Sequence, residues 1–148
     1  MNRQVIPAAG LLCTMGVAAY MIAQLSAQTA ATVTGDFTNA ATAEVRDSQG
    51  RTVLHGPFAA VEEDDDDTER KAALKPTGID ADATGEAEVE FAKSGTVTTQ
   101  EIEFAVKGLE PGTTLTFVID GQVVATATVD RRGGASVDLD VRMPGAAR

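Results

Sequence analysis

Residues 84–91, TGEAEVEF, and residues 101–109, EIEFAVKGL, carry the clearest structural signal in the sequence. Apolar and charged residues alternate in both runs, so that Ala87, Val89 and Phe91 share one side of the first run and glutamates occupy the other. Successive side chains of a β-strand point to opposite faces, and this alternation is therefore typical of a strand with one buried face. The two runs predict neighbouring strands of an all-β domain.

The same period of two continues on both sides of these runs. Upstream, residues 47–50 separate two alternating runs and predict a first hairpin. Downstream, Asp120-Gly121 lies between two further runs, and this dipeptide predicts a tight hairpin because both turn positions need positive φ. We expect the following side chains to face the interior: Ala43, Val45, Ile102, Phe104, Val106, Leu115, Phe117, Ile119, Val123, Ala125, Ala127, Val129, Val137, Leu139 and Val141.

No stretch after the N-terminal leader carries a helical apolar stripe. Short strands with frequent turn signals therefore predict an antiparallel β-sandwich of seven or eight strands, with an open barrel as the alternative. Residues 41–56, ATAEVRDSQGRTVLHG, and residues 125–140, ATATVDRRGGASVDLD, share the order strand, polar turn with glycine, strand. This similarity indicates either a duplication or two hairpins of like composition.

The N-terminal 27 residues have the layout of a secretory signal peptide, which would form an apolar leader helix. One charge, Arg3, precedes an apolar stretch over residues 5–25, and small residues follow it. The alternative is an uncleaved membrane anchor, because residues 5–25 are long enough to span a bilayer. The predicted organisation is a leader (1–27), a linker or edge strand (28–41), a β-sandwich domain (42–143) and a tail (144–148).

Cysteine content and charge restrict the compartment and the partners. Cys13 is the only cysteine and lies in the leader, so the mature domain can form no internal disulfide and no thiolate metal site. Export without disulfides favours a bacterial envelope protein, either secreted or periplasmic. The formal net charge of −10 disfavours nucleic acid and direct membrane contact by the mature domain. We expect a basic protein surface or divalent cations as partners.

The predicted mature chain offers few groups suited to catalysis. It contains no Cys, Tyr or Trp, and a lone histidine such as His55 is usually structural. None of Ser48, Ser94 and Ser136 lies in a nucleophile-elbow pattern. Carboxylates are abundant, so a carboxylate-pair hydrolase, or an inhibitor-type subunit of an envelope enzyme, is the alternative function. We expect no catalytic residue and no cofactor other than calcium.

Two acidic segments are candidate loops. Residues 62–67, EEDDDD, predict a solvated loop between strands. Residues 80–85, DADATG, place oxygen donors at the first, third and fifth positions and Gly at the sixth, as calcium loops do. Asp80, Asp82 and Thr84 are therefore the candidate calcium ligands, although Phe91 occupies the position of the usual bidentate glutamate.

A third acidic feature follows from strand pairing. If Val89 lies beside Ile102 in a hairpin, several glutamates face one another across the strands, which costs stability. A register shifted by two residues would instead pair Glu86 with Lys107. In either register the outer face carries an acidic patch composed of Glu86, Glu88, Glu90, Glu101 and Glu103.

Residues 83–121, ATGEAEVEFAKSGTVTTQEIEFAVKGLEPGTTLTFVIDG, resemble two families of secreted β-sandwich modules. The first part is similar to the chordin-type repeat domain found in bacterial exported proteins, and GLEPGTTLTF resembles the corner of fibronectin type III modules. The His-rich strand of the chordin-type pattern is missing, and Leu115 occupies the position of the fibronectin corner tyrosine. The resemblance implies a sandwich fold and says little about function. The sequence therefore predicts a noncatalytic exported structural or adhesion-type binding module with an acidic face.

Overall fold

The computed structural model describes residues 33–59, 62–64, 67–94, 97–141 and 143. The predicted leader helix, the tail and the first residues of the predicted linker lie outside these ranges. The described part of the chain has no helix with the length and hydropathy needed to span a bilayer.

The described residues form nine strands and no helix, which confirms the all-β prediction. The strands are β1 (Thr42–Arg46), β2 (Thr52–Pro57), β3 (Glu62–Asp64), β4 (Asp67–Pro76), β5 (Thr84–Ser94), β6 (Val97–Lys107), β7 (Thr114–Ile119), β8 (Gln122–Thr128) and β9 (Ala135–Val141). All their pairings are antiparallel. Eight strands follow the order β8-β7-β1-β2-β4-β5-β6-β9, and β3 pairs with β4 beside this path.

The strands form one continuous sheet that is curled nearly into a barrel. The two halves of the sheet join where β2 meets β4, at the pairs Leu54 with Pro76 and His55 with Lys75. The two end strands of this order, β8 and β9, are connected by a turn. The turn starts as a hairpin, because the Asp130 amide donates to the Gly134 carbonyl at 2.7 Å. No ladder between β8 and β9 follows it among the described residues. The architecture is thus nearer to the open barrel than to a sandwich of two separate sheets.

Alternate side chains of every long strand fill the interior. The largest fully buried ones include Phe104, Phe117, Leu54, Ile102, Leu115, Ile119, Val45 and Val89. The Phe104 and Phe117 ring centroids lie 5.0 Å apart, although β6 and β7 are not neighbours in the sheet. Their contact therefore packs one half of the curled sheet against the other across the core. Burial of such side chains contributes about 1.5–3 kcal/mol each.

One predicted core position is wrong. Val123 is 55% exposed, and its neighbour Val124 is buried instead. The pairing of β7 with β8 shifts between Phe117 and Val118, which is a β-bulge. A bulge inserts one extra residue into a strand, so the inward parity changes on one side of it. The other predicted core residues from Ala43 to Val141 are buried as expected.

The predicted loop over residues 62–67 is wrong for most of its length. Residues 62–64 form β3, and Asp67 begins β4, which pairs Glu62 with Glu69 and Asp64 with Asp67. Residues 65 and 66 lie outside the described ranges. The acidic run thus includes both sides of a short hairpin.

The predicted turn at Asp120-Gly121 is confirmed, with φ of 48° and 82°. The turns of the two similar sequence segments also match. Asp47 Oδ1 accepts hydrogen bonds from the amides two and four residues later, at 2.9 and 3.0 Å. Asp130 Oδ1 accepts from the equivalent amides at 2.7 and 3.0 Å. Both turns therefore have the same local geometry, which Gly50 and Gly133 complete with positive φ.

Candidate functional site

The five glutamates of the predicted acidic patch lie together on the outer side of the sheet. Val89 pairs with Ile102, so Glu88 lies opposite Glu103 and Glu90 opposite Glu101. This is the first of the two registers considered from the sequence. Glu86 pairs with Ala105 rather than Lys107. The predicted juxtaposition of like charges is therefore present in the structure.

Two further strands extend this patch. One cross-strand row contains Glu69, Glu90, Glu101 and Asp140, and the row beside it contains Lys71, Glu88, Glu103 and Asp138. We call these eight residues the acidic face. Adjacent strands are about 4.8 Å apart, so each row spans about 14 Å. Seven carboxylates and one ammonium group therefore share one compact surface.

Lys71 interacts with carboxylates on two strands. Its ammonium forms an ion pair with Glu69 and lies 3.6 Å from Glu88 Oε2. The hydrogen bond from Lys71 lowers the pKa of Glu69, and the same hydrogen bond raises the pKa of Lys71. Burial, followed by the nearby charge of Glu69, raises the pKa of Glu88. Glu69 and Glu88 thus differ in proton affinity because one holds the ammonium closely and the other is more desolvated.

Glu101 is the most crowded carboxylate in the centre of the acidic face. A hydrogen bond with Asp138 is the main cause that raises the pKa of Glu101, and burial adds to it. The charges of Asp138, Glu103 and Glu90 act in the same direction. Crowded carboxylates hold protons more tightly because ionising each one brings another negative charge close to its neighbours.

Three of these carboxylates have the spacing of metal ligands. One oxygen from each of Glu101, Glu103 and Asp138 lies within 4.8 Å of the other two, and no other such trio occurs among the residues the structure describes. Calcium takes six to eight oxygen ligands at about 2.3–2.6 Å. The trio could supply three of them from a half-buried and two exposed side chains, with water completing the shell.

The predicted calcium loop lies outside the acidic face. Asp80 and Asp82 lie in the β4–β5 turn, and Thr84 begins β5. Ala83 is fully buried between the exposed side chains of Asp82 and Thr84. Gly108 packs so closely that a Cβ there would lie 2.3 Å from the Asp82 carbonyl oxygen. This turn is therefore fixed by packing beneath it, and the structure does not join it to the carboxylate trio.

A groove lies beside the acidic face, at one end of β5 and β6. It has a volume of about 410 Å³ and is lined by Thr84, Gly85, Glu86, Ala105, Val106 and Lys107. This lining holds one carboxylate, whereas a glycosidase of the carboxylate-pair type needs two across the scissile bond. His55 lies on β2, exposed, with Glu44 and Lys75 as its register partners. The groove and the histidine are thus in different parts of the sheet.

Four members of the acidic face were not predicted from the sequence. Glu69 and Lys71 were missed because β4 was not recognised, since inward-facing Arg70 interrupts its apolar alternation. Asp138 and Asp140 alternate visibly with buried residues of β9, and this was the available signal. Their place beside β6 depends on a pairing between strands about 30 residues apart, which periodicity does not predict.

No family model matches the chain, no curated protein matches its sequence, and no solved structure matches its fold. The resemblance to chordin-type and fibronectin type III modules therefore stays a prediction from the sequence.

Proposed function

We propose that this chain is an exported, noncatalytic structural or adhesion-type binding module that uses its acidic face to contact a positively charged partner. Export would follow from the leader over residues 1–27, by cleavage or by anchoring through residues 5–25. The observation that carries the proposal is the strand register, which aligns seven carboxylates with one lysine on adjacent rows.

The energetic cost of this arrangement supports a binding role. Five cross-strand pairs join two carboxylates: Glu69 with Glu90, Glu90 with Glu101, Glu101 with Asp140, Glu88 with Glu103, and Glu103 with Asp138. Like charges directly opposite one another are destabilising, with cross-strand pair energies of about 0.2–1 kcal/mol. A cationic partner removes this repulsion when it binds, so association gains energy that the free protein lacks.

Binding of a fluorescein-labelled decalysine peptide, followed by anisotropy at low ionic strength, tests this proposal. The variant Glu90→Gln/Glu101→Gln/Glu103→Gln removes three charges from the acidic face. The control Asp80→Asn/Asp82→Asn/Glu110→Gln removes three charges elsewhere. We expect at least tenfold weaker binding for the first variant and less than twofold for the second, because local charge density sets the attraction. Equal losses would show that net charge alone attracts the peptide and would refute the proposal.

A divalent cation is a second candidate ligand, favoured by the spacing of Glu101, Glu103 and Asp138. Calorimetric titration with calcium, and thermal melts with and without chelator, test it. We expect Asp138→Asn to abolish the heat of binding, whereas Asp80→Asn/Asp82→Asn leaves it unchanged. The opposite pattern would place the cation in the β4–β5 turn. Absence of heat in the unmodified protein, with an unchanged Tm, would exclude calcium binding.

A further inference from the structure

Residues 33–41, VTGDFTNAA, lie against one end of the curled sheet and are here called the strap. Val33, Phe37 and Ala40 of the strap are buried in the core. Apart from a single bridge at Thr34, the strap has no strand structure. The strap belongs to the predicted linker (28–41) and directly precedes β1.

Side chains, rather than a strand ladder, hold most of the strap's main chain. Gln100 Oε1 accepts a hydrogen bond from the Phe37 amide at 3.4 Å, and Arg70 Nη1 donates to the Thr38 carbonyl at 3.0 Å. At the two ends of the strap, Gln122 Nε2 donates to the Thr34 carbonyl, and the Asp120 carboxylate accepts from the Ala41 amide. These four side chains come from β4, β6, β8 and the β7–β8 turn. Departure of the strap would break these side-chain bonds, the bridge at Thr34 and the hydrogen bond from the Phe58 amide to the Ala41 carbonyl, but no pairing between the nine strands.

Arg70 and Gln100 are unusual because both point into the apolar interior. Arg70 pairs in register with buried Val89, and Gln100 pairs with buried Phe91 and Val141. Gln100 is only 2% exposed. A polar group in such a position is costly unless it forms hydrogen bonds. Here each side chain forms a hydrogen bond with the main chain at or next to Phe37, and side chains that recognise peptides bind main chain in the same way.

The strap leaves part of this hydrogen-bonding capacity unused. Arg70 Nε and Gln100 Nε2 are both buried and have no acceptor among the described residues. The same two side chains that bind the strap therefore retain one free donor group each. An incompletely matched contact of this kind is expected to open more readily than the fully paired ladders of β5 and β6.

We propose that this end of the barrel is a peptide-binding site, filled within each chain by the strap and able to take the strap of a second copy. The site recognises an extended segment whose phenylalanine enters the core. Gln100 binds the amide of that phenylalanine, and Arg70 binds the carbonyl of the next residue. A second copy supplies the matching segment because every chain carries VTGDFTNAA, and exchange of an identical element is a low-cost route to dimers.

The full chain carrying Phe37→Ala, which weakens its own strap, provides the test. A fluorescein-labelled peptide of residues 33–41 represents the second copy's strap. We expect saturable binding to Phe37→Ala and at least tenfold weaker binding to the unmodified chain, whose site is filled. A peptide with Ala in place of the phenylalanine should not bind, and Gln100→Leu in the Phe37→Ala background should weaken binding at least fivefold.

Failure of the native peptide to bind a folded Phe37→Ala chain, with folding verified by circular dichroism, would overturn the proposal. If Phe37→Ala does not fold, hydrogen exchange of the unmodified chain decides the matter. Amides of Phe37 and Ala41 should then exchange at least tenfold faster than those of β5 and β6. Equal protection would show that the strap opens only with global unfolding and would likewise overturn the proposal.

Discussion

The two halves of the curled sheet share one largely apolar interior and have different exteriors. The acidic half consists of β4, β5, β6 and β9, and the neutral half of β1, β2, β7 and β8. On the neutral half, β7 and β8 present four threonines, Thr114, Thr116, Thr126 and Thr128, in two cross-strand pairs. On β1, Glu44 is neutralised by Arg46 at 2.8 Å. The acidic half instead places carboxylates opposite carboxylates.

This difference shows that the fold requires the ladders and the buried side chains, whereas it only tolerates the clustered carboxylates. The neutral half forms the same ladders and buries the same kinds of side chain without clustered charge. The carboxylate rows are therefore not needed to make the sheet, and they oppose its stability. We attribute them to the proposed binding role.

The interior is common to both halves, so a core substitution should affect the whole molecule. Phe104→Ala removes the ring that contacts Phe117 across the core. We expect a loss of about 3–5 kcal/mol in the free energy of unfolding, because the ring's burial is lost and a cavity remains. The control Phe104→Leu, which keeps most of the volume, should cost less than about 1.5 kcal/mol. Urea denaturation measures both, and similar small losses would show that the halves are not packed through this pair.

Prediction from the sequence succeeded where burial follows a period of two. The strands with alternating residues, including TGEAEVEF and EIEFAVKGL, and the Asp120-Gly121 turn were identified because each signal is local. Sequence periodicity missed β4 because Arg70 faces inward, and it placed Val123 inside because a bulge is not visible as a change of pattern. It identified four members of the acidic face, Glu88, Glu90, Glu101 and Glu103. The members on β4 were lost with that strand, and β9 joins the face only through long-range pairing with β6.

The exteriors of the two halves should respond differently to an added lysine. Glu90 lies between Glu69 and Glu101, so Glu90→Lys replaces two repulsive pairs by two attractive ones. We expect a gain of about 1 kcal/mol in the free energy of unfolding at low ionic strength. The matched change Thr126→Lys lies opposite Thr116 in the neutral half and should give no gain. Chemical denaturation compares the two variants, and equal effects would remove the energetic difference between the halves.

Acidification should first stabilise the protein and then destabilise it. The raised pKa values of Glu88 and Glu101 mean that the folded state holds these protons more tightly than the unfolded state. Their protonation therefore stabilises the folded state. This stabilisation is fully present below an unfolded pKa of about 4.3 and is lost as pH rises through the folded pKa. Asp47 and Asp130, whose pKa values are lowered by hydrogen bonds, contribute stability that is lost as pH falls below about 3.9.

Thermal melts between pH 3 and pH 7 check this expectation. Tm should rise modestly from pH 7 towards about pH 4.5 and fall below about pH 3.9, in line with the two groups of carboxylates. Glu101→Gln should reduce the rise and leave the acid-side fall unchanged. A Tm that decreases steadily as the pH falls from 7 would contradict the inference that crowded carboxylates on the acidic face destabilise the protein at neutral pH.

The claim that the acidic face is the partner-contact surface is tested most directly by a residue-resolved NMR titration of the ¹⁵N-labelled protein with decalysine. We predict that amide shift changes concentrate at Glu90, Glu101, Glu103, Asp138 and their cross-strand neighbours, while Thr116 and Thr126 of the neutral half remain unchanged. Shift changes spread evenly over both halves, or centred on the β4–β5 turn, would contradict the account.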